Sequence, residues 1–165
     1  MGIAGLEGRD KVTLFASPDV ADFGAWAEQL IAESTGKDGK GLVPIEGETI
    51  GDAAVYGNDR FFIDLRTERE HDAAHEAKLA ALEAAGHPVV RIVMKSIDHI
   101  GQEFFRFEIA TAVAGSILGI NPFNQPDVEA AKIKTRELTA AFEKTGALPA
   151  EQPVVRSEER RVGKE

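Results

Sequence analysis

The sequence predicts an α/β fold in which helices cover both faces of a mainly parallel sheet, forming a three-layer sandwich. Apolar, β-branched runs at residues 11–16, 60–65 and 89–94 predict buried strands. A stretch with helical periodicity follows each run after a short connection. Strands that alternate with helices in this way are typical of parallel sheets, whose ligands usually bind at the carboxyl ends of the strands.

The helix after the first strand is predicted from a regular apolar stripe. Its members are Val20, Phe23, Trp26, Ala27, Leu30 and Ile31. Ser17 or Asp19 is expected to cap this helix, and Gly36 is expected to end it. The glycine-rich segment 36–51 that follows is expected to be a loop with a short strand at 42–45.

A helix rich in alanine and charge is predicted at residues 68–85 and ends before Gly86. His71 and His75 lie four residues apart within it, a spacing that zinc can use on a helix, but no third ligand is evident. Both histidines are therefore expected on a solvated face.

The stretch at residues 99–118 is apolar on most faces, which predicts a central, largely buried helix. Phe104, Phe105 and Phe107 are accordingly expected to pack in the core. A last helix is predicted from about residue 126 to residue 144.

The composition is that of a globular protein with an acidic surface. The chain has 165 residues, of which 43% are hydrophobic and 28% charged, and its net charge is -9. Such a surface disfavours nucleic acid and anionic membranes as partners. No apolar run approaches the roughly 20 residues of a membrane span. The chain has no cysteine, which excludes disulfides and cysteine metal sites, and we expect a cytoplasmic protein.

The last ten residues, 156–165, differ from the rest because they are charged and lack apolar periodicity. They resemble a translated sequencing adapter, and the alternative is a native, charged, disordered tail. Either origin removes them from the fold, so one domain is predicted at residues 1–155.

A turn near the end of the chain carries the most informative pattern. A new helix begins at Pro126, and Asn124 or Gln125 can cap it. A helix start binds anions readily, and Lys132 lies about two turns further on. A capped amphipathic helix with a solvated Lys132 would explain the same residues.

Two segments resemble signatures of glucose-6-phosphate isomerases. Residues 123–132, FNQPDVEAAK, are similar to the C-terminal signature of this family, with Asp127 where the family usually has glycine. Residues 33–37, ESTGK, are similar to the family's Glu-Ser-Asn-Gly-Lys segment, with Thr35 in place of asparagine. The two segments occur in the family's order.

This resemblance implies a sugar-isomerase type of α/β domain that interconverts glucose 6-phosphate and fructose 6-phosphate through a cis-enediol, a step of glycolysis and gluconeogenesis. It implies Glu33 and Lys132 as catalytic residues and Gln125 as a substrate-binding residue, with no metal or organic cofactor. It is compatible with a homodimer, the usual state of the family. Glu33 is expected at a helix end, where the dipole and partial burial would raise the pKa of a general base.

The chain departs from the family where a histidine assists ring opening. The corresponding stretch, residues 55–62, places Asp59 or Arg60 there. Either Asp59 acts as the acid and base, or Lys132 alone opens the ring. This variation, together with the GKGLVP run at residues 39–44, resembles the isomerase half of transaldolase–isomerase fusions.

The family's upstream half, which holds the sugar phosphate, has no counterpart in this sequence. We therefore expect a fragment with little or no isomerase activity of its own. The alternative class is a regulatory domain that binds sugar phosphates without turning them over, which would not need Glu33.

Overall fold

The structure is a computed structural model that describes residues 1–150, and the chain divides into two units. The first unit, Met1–Gln125, contains the whole sheet. The second unit begins at Pro126 and contains the last helix. The predicted tail at residues 156–165 and the domain end at residue 155 lie outside the described residues.

The sheet of the first unit is entirely parallel, with the strand order β2-β1-β3-β4. The strands are β1 (Lys11–Ala16), β2 (Val43–Ile45), β3 (Arg60–Thr67) and β4 (Val89–Met94). The predicted α/β class is therefore confirmed, and the strand at residues 60–65 is two residues longer than predicted. The chain leaves the two central strands in opposite directions, because β1 leads to β2 at one edge and β3 leads to β4 at the other.

The helices follow the predicted order, with one addition at the start of the chain. They are α1 (Gly2–Leu6), α2 (Phe23–Thr35), α3 (Ala73–Ala84), α4 (Ile100–Leu118) and α5 (Pro126–Thr145). No pattern in the first ten residues predicted α1. Within residues 1–150, none of these helices is both long and apolar enough to cross a membrane.

Helices cover both faces of the sheet, as predicted for three layers. On one face, α2 and α4 pack around Val12 and Leu14 of β1. On the other face, α3 covers Phe15 and Phe62 with its buried leucines, Leu79 among them. Alternate residues of a strand point to opposite faces, so β1 supplies both cores.

The cap expected for α2 is not formed as predicted. Ser17 precedes a short 3-10 turn and makes no capping hydrogen bond, while its Oγ donates to Asp19 Oδ1. Asp22 occupies the position before α2 and also makes no side-chain cap. Gly36 ends α2 as predicted.

The two histidines of the third predicted helix do not share a helical face. Asp72 caps α3, since its Oδ1 accepts hydrogen bonds from Ala74 N at 2.8 Å and His75 N at 3.3 Å. His71 therefore precedes the helix. His75 is only 27% exposed and contacts Asp64, so the prediction of a solvated face is wrong for this residue.

One face of α4 is exposed, although the sequence predicted a largely buried helix. Phe107 and Leu118 lie in the core. The opposite face carries Phe105, Ile109, Val113 and Ile117, which are 37–65% exposed. The prediction that Phe105 packs in the core is therefore wrong. The sheet and its neighbouring helices contact α4 from one side, and apolar character alone did not identify that side.

Candidate active site

Glu33 lies at the amino edge of the sheet, where the parallel strands begin. It occupies the last turn of α2, which returns antiparallel to β1. The helix end is fixed there by Thr35, whose buried Oγ1 accepts a hydrogen bond from Leu42 N at 2.9 Å, directly before β2. The general expectation of a ligand at the carboxyl ends of the strands therefore does not hold for this residue.

The side chain of Glu33 is exposed and accepts a hydrogen bond from Gln29 Nε2 at 3.3 Å. The helix-end position agrees with the sequence analysis. The expected partial burial of Glu33 is not observed among the residues that the structure describes. A carboxylate in this setting is accessible to a ligand that approaches the amino edge.

Two lysines after α2 hold its end against the end of α4. Lys37 Nζ donates to Asn121 O at 3.0 Å, and Lys40 Nζ donates to Leu118 O at 3.0 Å. Leu118 O is a carbonyl at the C-terminus of α4; such groups lack partners within the helix and carry partial negative charge, so the Lys40 ammonium stabilises it. Asn121 O lies in the turn after the helix. Lys37 is only 5% exposed. We call these two lysines the lysine clamp.

The turn that follows α4 depends on a glycine contact. Gly119 adopts the left-handed conformation that ends the helix, with φ of 69°. Pro122 then folds back over Gly115, where a Cβ atom would lie 2.8 Å from Pro122 Cγ. The turn continues to Gln125, which is exposed and is the last residue of the first unit. The lysine clamp thus joins the Glu33 segment to the turn that carries Gln125.

Lys132 lies on α5, in the second unit, and is exposed. The helix begins at Pro126 as predicted, with Asp127 and Glu129 in its first turn, where negative charge complements the helix dipole. Glu129 also accepts a hydrogen bond from Arg136 at 2.7 Å.

Asp59 and Arg60, the two residues that correspond to the missing histidine, both contact other polar side chains. Asp59 Oδ2 lies 2.8 Å from Lys11 Nζ, and this hydrogen bond lowers the pKa of the Asp59 carboxyl. Arg60 donates to Thr13 Oγ1 at 2.7 Å and to Glu48 Oε2 at 3.0 Å. A carboxyl that stays ionised is a poor proton donor near neutral pH, so the geometry disfavours Asp59 as the acid for ring opening.

Sequence reasoning missed the lysine clamp, although its turn has a recognisable signal. Asp38 and Gly39, between the two lysines, adopt left-handed conformations with φ of 56° and 70°. An Asp-Gly pair is typical of such tight turns. The partner carbonyls lie 84 and 78 residues away in the sequence, and no local pattern identifies them.

No protein-family model matches the chain. Individual curated proteins do match it. It is 30% identical over 151 residues to the glucose-6-phosphate isomerase of Lactobacillus delbrueckii subsp. bulgaricus, covering 70% of this chain and 34% of that protein. It is 32% identical over 149 residues to the "Probable glucose-6-phosphate isomerase" of Halobacterium salinarum, covering 70% of this chain and 35% of that protein.

The glucose-6-phosphate isomerase of Parabacteroides distasonis is 30% identical over 160 residues, covering 74% of this chain and 36% of that protein. The resemblance to this family that the two motifs predicted is therefore confirmed. The chain spans about a third of the length of the curated relatives that it matches.

Proposed function

We propose that this chain is the C-terminal, active-site-bearing part of a glucose-6-phosphate isomerase. The complete protein then interconverts glucose 6-phosphate and fructose 6-phosphate. The similarity to proteins of that name, over about 70% of this chain, supports the assignment. The order of the two motifs, ESTGK before FNQPDVEAAK, supports it independently of overall identity.

The lysine clamp is the observation that carries the proposal. Lys37 belongs to the first motif, and its Nζ donates to Asn121 O, 84 residues away and two residues before the second motif. The first motif thus contacts the turn that leads into the second one. Random resemblance of two short segments would not require such a contact.

The proposed reaction moves one proton between adjacent carbons of the open-chain sugar. The carboxylate of Glu33 removes the proton from C2, the electron pair of that C–H bond forms the C1=C2 double bond, and O1 takes up a proton, which gives the cis-enediol. Glu33 then returns its proton to C1 while O2 loses its proton, which gives the ketose. The carbonyl already acidifies the adjacent C–H bond, so the reaction needs no metal or organic cofactor. The exposed position of Glu33 leaves its carboxylate open to such a substrate.

The polar groups of the second motif have complementary parts in this proposal. Gln125 holds sugar hydroxyls through its amide. The ammonium of Lys132 donates to the ring or hydroxyl oxygens during ring opening. Asp59 is less suited to this role, because its ion pair with Lys11 keeps its carboxyl ionised. Both Gln125 and Lys132 are exposed and accessible to a ligand.

The setting of the chain in its parent protein is also a proposal. We infer one domain at residues 1–155 of a cytoplasmic parent. Either an isomerase N-terminal domain or a transaldolase domain precedes it there, the latter as in the fusions that the GKGLVP run resembles. The acidic composition supports a small-molecule ligand rather than nucleic acid or membrane partners. A homodimer agrees with the usual state of the family.

The test is Glu33→Gln in the full-length parent, with Glu28→Gln as the matched control on the same helix. Both glutamates are exposed, so neither change should affect folding. Loss of a general base should lower kcat about 10²–10⁴-fold in Glu33→Gln and leave Glu28→Gln unchanged. Near-normal turnover in Glu33→Gln would overturn the assignment. Sugar-phosphate binding without turnover in the unmodified parent would favour the regulatory domain instead.

A further inference from the structure

The exposed face of α4 carries a continuous apolar stripe. Phe105, Ile109, Val113 and Ile117 follow one another at intervals of four residues, which places successive members on adjacent turns of the helix. Their exposed fractions are 65%, 50%, 51% and 37%. No charged residue occurs between Ile109 and Leu118. A solvated helix face carries charged and polar side chains, so this face has the composition of a buried one. We call these four residues the α4 stripe.

The exposed apolar surface continues from α4 onto α1. The two helices pack closely, since a Cβ atom added to Gly2 would lie 2.9 Å from Ala114 Cα and 3.0 Å from Ile117 Cβ. On α1, the side chains of Ile3 and Leu6 are 63% and 64% exposed. Helix α1 thus adds exposed apolar side chains next to the Ile117 end of the α4 stripe. A contiguous apolar surface of this kind marks an interaction site.

An apolar cavity of about 190 Å³ adjoins the same helix. Ala110, which directly follows Ile109 of the α4 stripe, lines it together with side chains of β3 and β4. Among the residues that the structure describes, Arg106 is the only charged one that lines it, and its side chain is paired with Glu103. Such a pocket suits an apolar anchor from a partner surface. Its remaining lining residues are Met1, Phe61, Ile63, Val90, Ile92 and Phe107.

The composition of this surface indicates a permanent partner. Permanent interfaces are more hydrophobic than transient ones and resemble a protein core that has been cut in half. The α4 stripe, with large apolar side chains and no charge from Ile109 to Leu118, is of this type. The match covers only 34–36% of the length of the curated relatives, so about two thirds of such a protein lies outside it. The largest permanent neighbour of this chain is therefore the rest of its own polypeptide.

We propose that a part of the parent protein outside this chain packs on the α4 stripe and on the adjoining residues of α1. This inference rests on the proposal that the chain belongs to a longer isomerase. An apolar side chain of the covering part occupies the cavity beside Ala110. The stripe runs to the end of α4, where Leu118 O accepts the hydrogen bond from Lys40. The covering part therefore reaches the amino edge of the sheet, where it can enclose the exposed Glu33 and Gln125.

A cysteine in place of Val113 tests the proposal, because the chain has no cysteine of its own. Val113→Cys is made in the 165-residue chain and in the full-length parent, and mass spectrometry of the peptide follows thiol alkylation at this position. We expect alkylation to be about tenfold or more slower in the parent, because a packed side chain reacts only when the interface opens. Glu28→Cys, at an exposed position of α2, is the control and should react at similar rates in both proteins.

A photoreactive residue identifies what covers the stripe. Phe105 is replaced by p-benzoylphenylalanine in the full-length parent, and the crosslinked peptides are sequenced after irradiation. Crosslinks within one polypeptide, to residues outside this chain, would support the proposal. Crosslinks between two polypeptides would show that a second copy covers the stripe, and would overturn it. Alkylation of Val113→Cys that is as fast in the parent as in the 165-residue chain would also overturn it.

These two measurements are separate from the test of the isomerase assignment, because neither of them depends on turnover. Near-normal activity of Glu33→Gln would overturn the assignment of the catalytic base and would leave the protection of Val113→Cys unchanged. Fast alkylation of Val113→Cys, in a parent that loses turnover in Glu33→Gln, would overturn only the covered stripe.

Discussion

The amino and carboxyl edges of the sheet hold their polar side chains in two different ways. At the amino edge, Glu33 and Gln125 are exposed, and the lysine clamp holds the segments that carry them through bonds to backbone carbonyls. At the carboxyl edge, Asp64 is buried and contacts the side chain of His75. Exposed side chains such as Glu33 and Gln125, on segments whose backbone is held in place, suit a ligand that another part of the protein encloses. The buried pair of Asp64 and His75 instead lines a cavity.

The difference also explains why the sequence predicted the polar residues of the amino edge but not those of the carboxyl edge. Glu33 and Gln125 belong to short contiguous motifs. Asp64 lies on β3 and His75 on α3. The sequence pattern did not define the length of the turn that joins these two elements. Substitutions should lower the free energy of unfolding most where they disturb the packing of a whole helix against the sheet. They should lower it least where they remove a single exposed ion pair.

Leu79→Ala should break the carboxyl edge by loosening α3, which carries His75. Leu79 is completely buried between α3 and the sheet. Loss of its side chain should lower the free energy of unfolding by about 2–5 kcal/mol, because a cavity remains in the core. Urea denaturation measures the loss. Leu6→Ala is the control, since Leu6 is 64% exposed. Equal stability of the two variants would contradict this account of α3.

Lys37→Met should weaken the amino edge and leave the carboxyl edge intact. The change keeps an unbranched chain but removes the hydrogen bond from the ammonium to Asn121 O. Hydrogen bonds that involve a charged group contribute about 1.5–3 kcal/mol, and we expect a loss of that size. Lys95→Met, at an exposed lysine, should change stability by less than about 0.5 kcal/mol.

Amide hydrogen exchange locates the effect of Lys37→Met. Exchange should accelerate at Phe123, whose N–H donates to Asn121 Oδ1 at 3.0 Å, and should stay unchanged in α3. Acceleration throughout the sheet would mean that Lys37 supports the fold as a whole rather than this edge.

Gly115→Ala should displace the turn that leads to Gln125. The added Cβ would lie 2.8 Å from Pro122 Cγ, so the turn or the helix must shift, at a cost of about 1–3 kcal/mol. Gly101→Ala is a matched control in the same helix, because no atom lies within 4 Å of its added Cβ. Alanine is the better helix former, so this control should gain up to about 1 kcal/mol. Thermal unfolding of both variants should therefore show shifts of opposite sign.

Much of the fold was predictable because its signals are local. The strands β1 and β4 occur at their predicted bounds, since each is a short apolar run between turn residues. The start of α3 was placed five residues too early, because Asp72 caps the helix inside a charged stretch without apolar periodicity. The exposed face of α4 was missed for a related reason: apolar residues all around a helix do not reveal which side meets the sheet.

The candidate site was predictable only as far as its motifs reach. The ESTGK segment indicated Glu33, and the structure confirms that it ends a helix. The bond from Lys37 to Asn121 O joins residues 84 positions apart, which the sequence alone does not define. The sequence predicts only a strand at Asp64 and a solvated face for His75, because their pairing exists only once α3 lies on the sheet.

The smallest expected effect concerns the exposed ion pair of Asp59 with Lys11 at the amino edge, which an acid titration can test. The hydrogen bond from Lys11 lowers the pKa of Asp59 in the folded chain. The pair therefore stabilises the fold above the ordinary aspartate pKa of about 4, and this stabilisation is lost as the pH falls through the lower folded value. Both side chains are about 40% exposed, so the effect should be small and should weaken with salt.

Asp59→Asn should thus be slightly less stable than the unmodified chain at pH 7 and indistinguishable from it at strongly acidic pH. Carboxyl-carbon NMR measures the pKa of Asp59 directly. An Asp59 pKa below the ordinary aspartate value of about 4 would agree with an ionised, non-catalytic carboxylate. An Asp59 pKa raised towards neutrality would restore Asp59 as the acid for ring opening, and the amino edge would then hold a second proton donor beside Glu33.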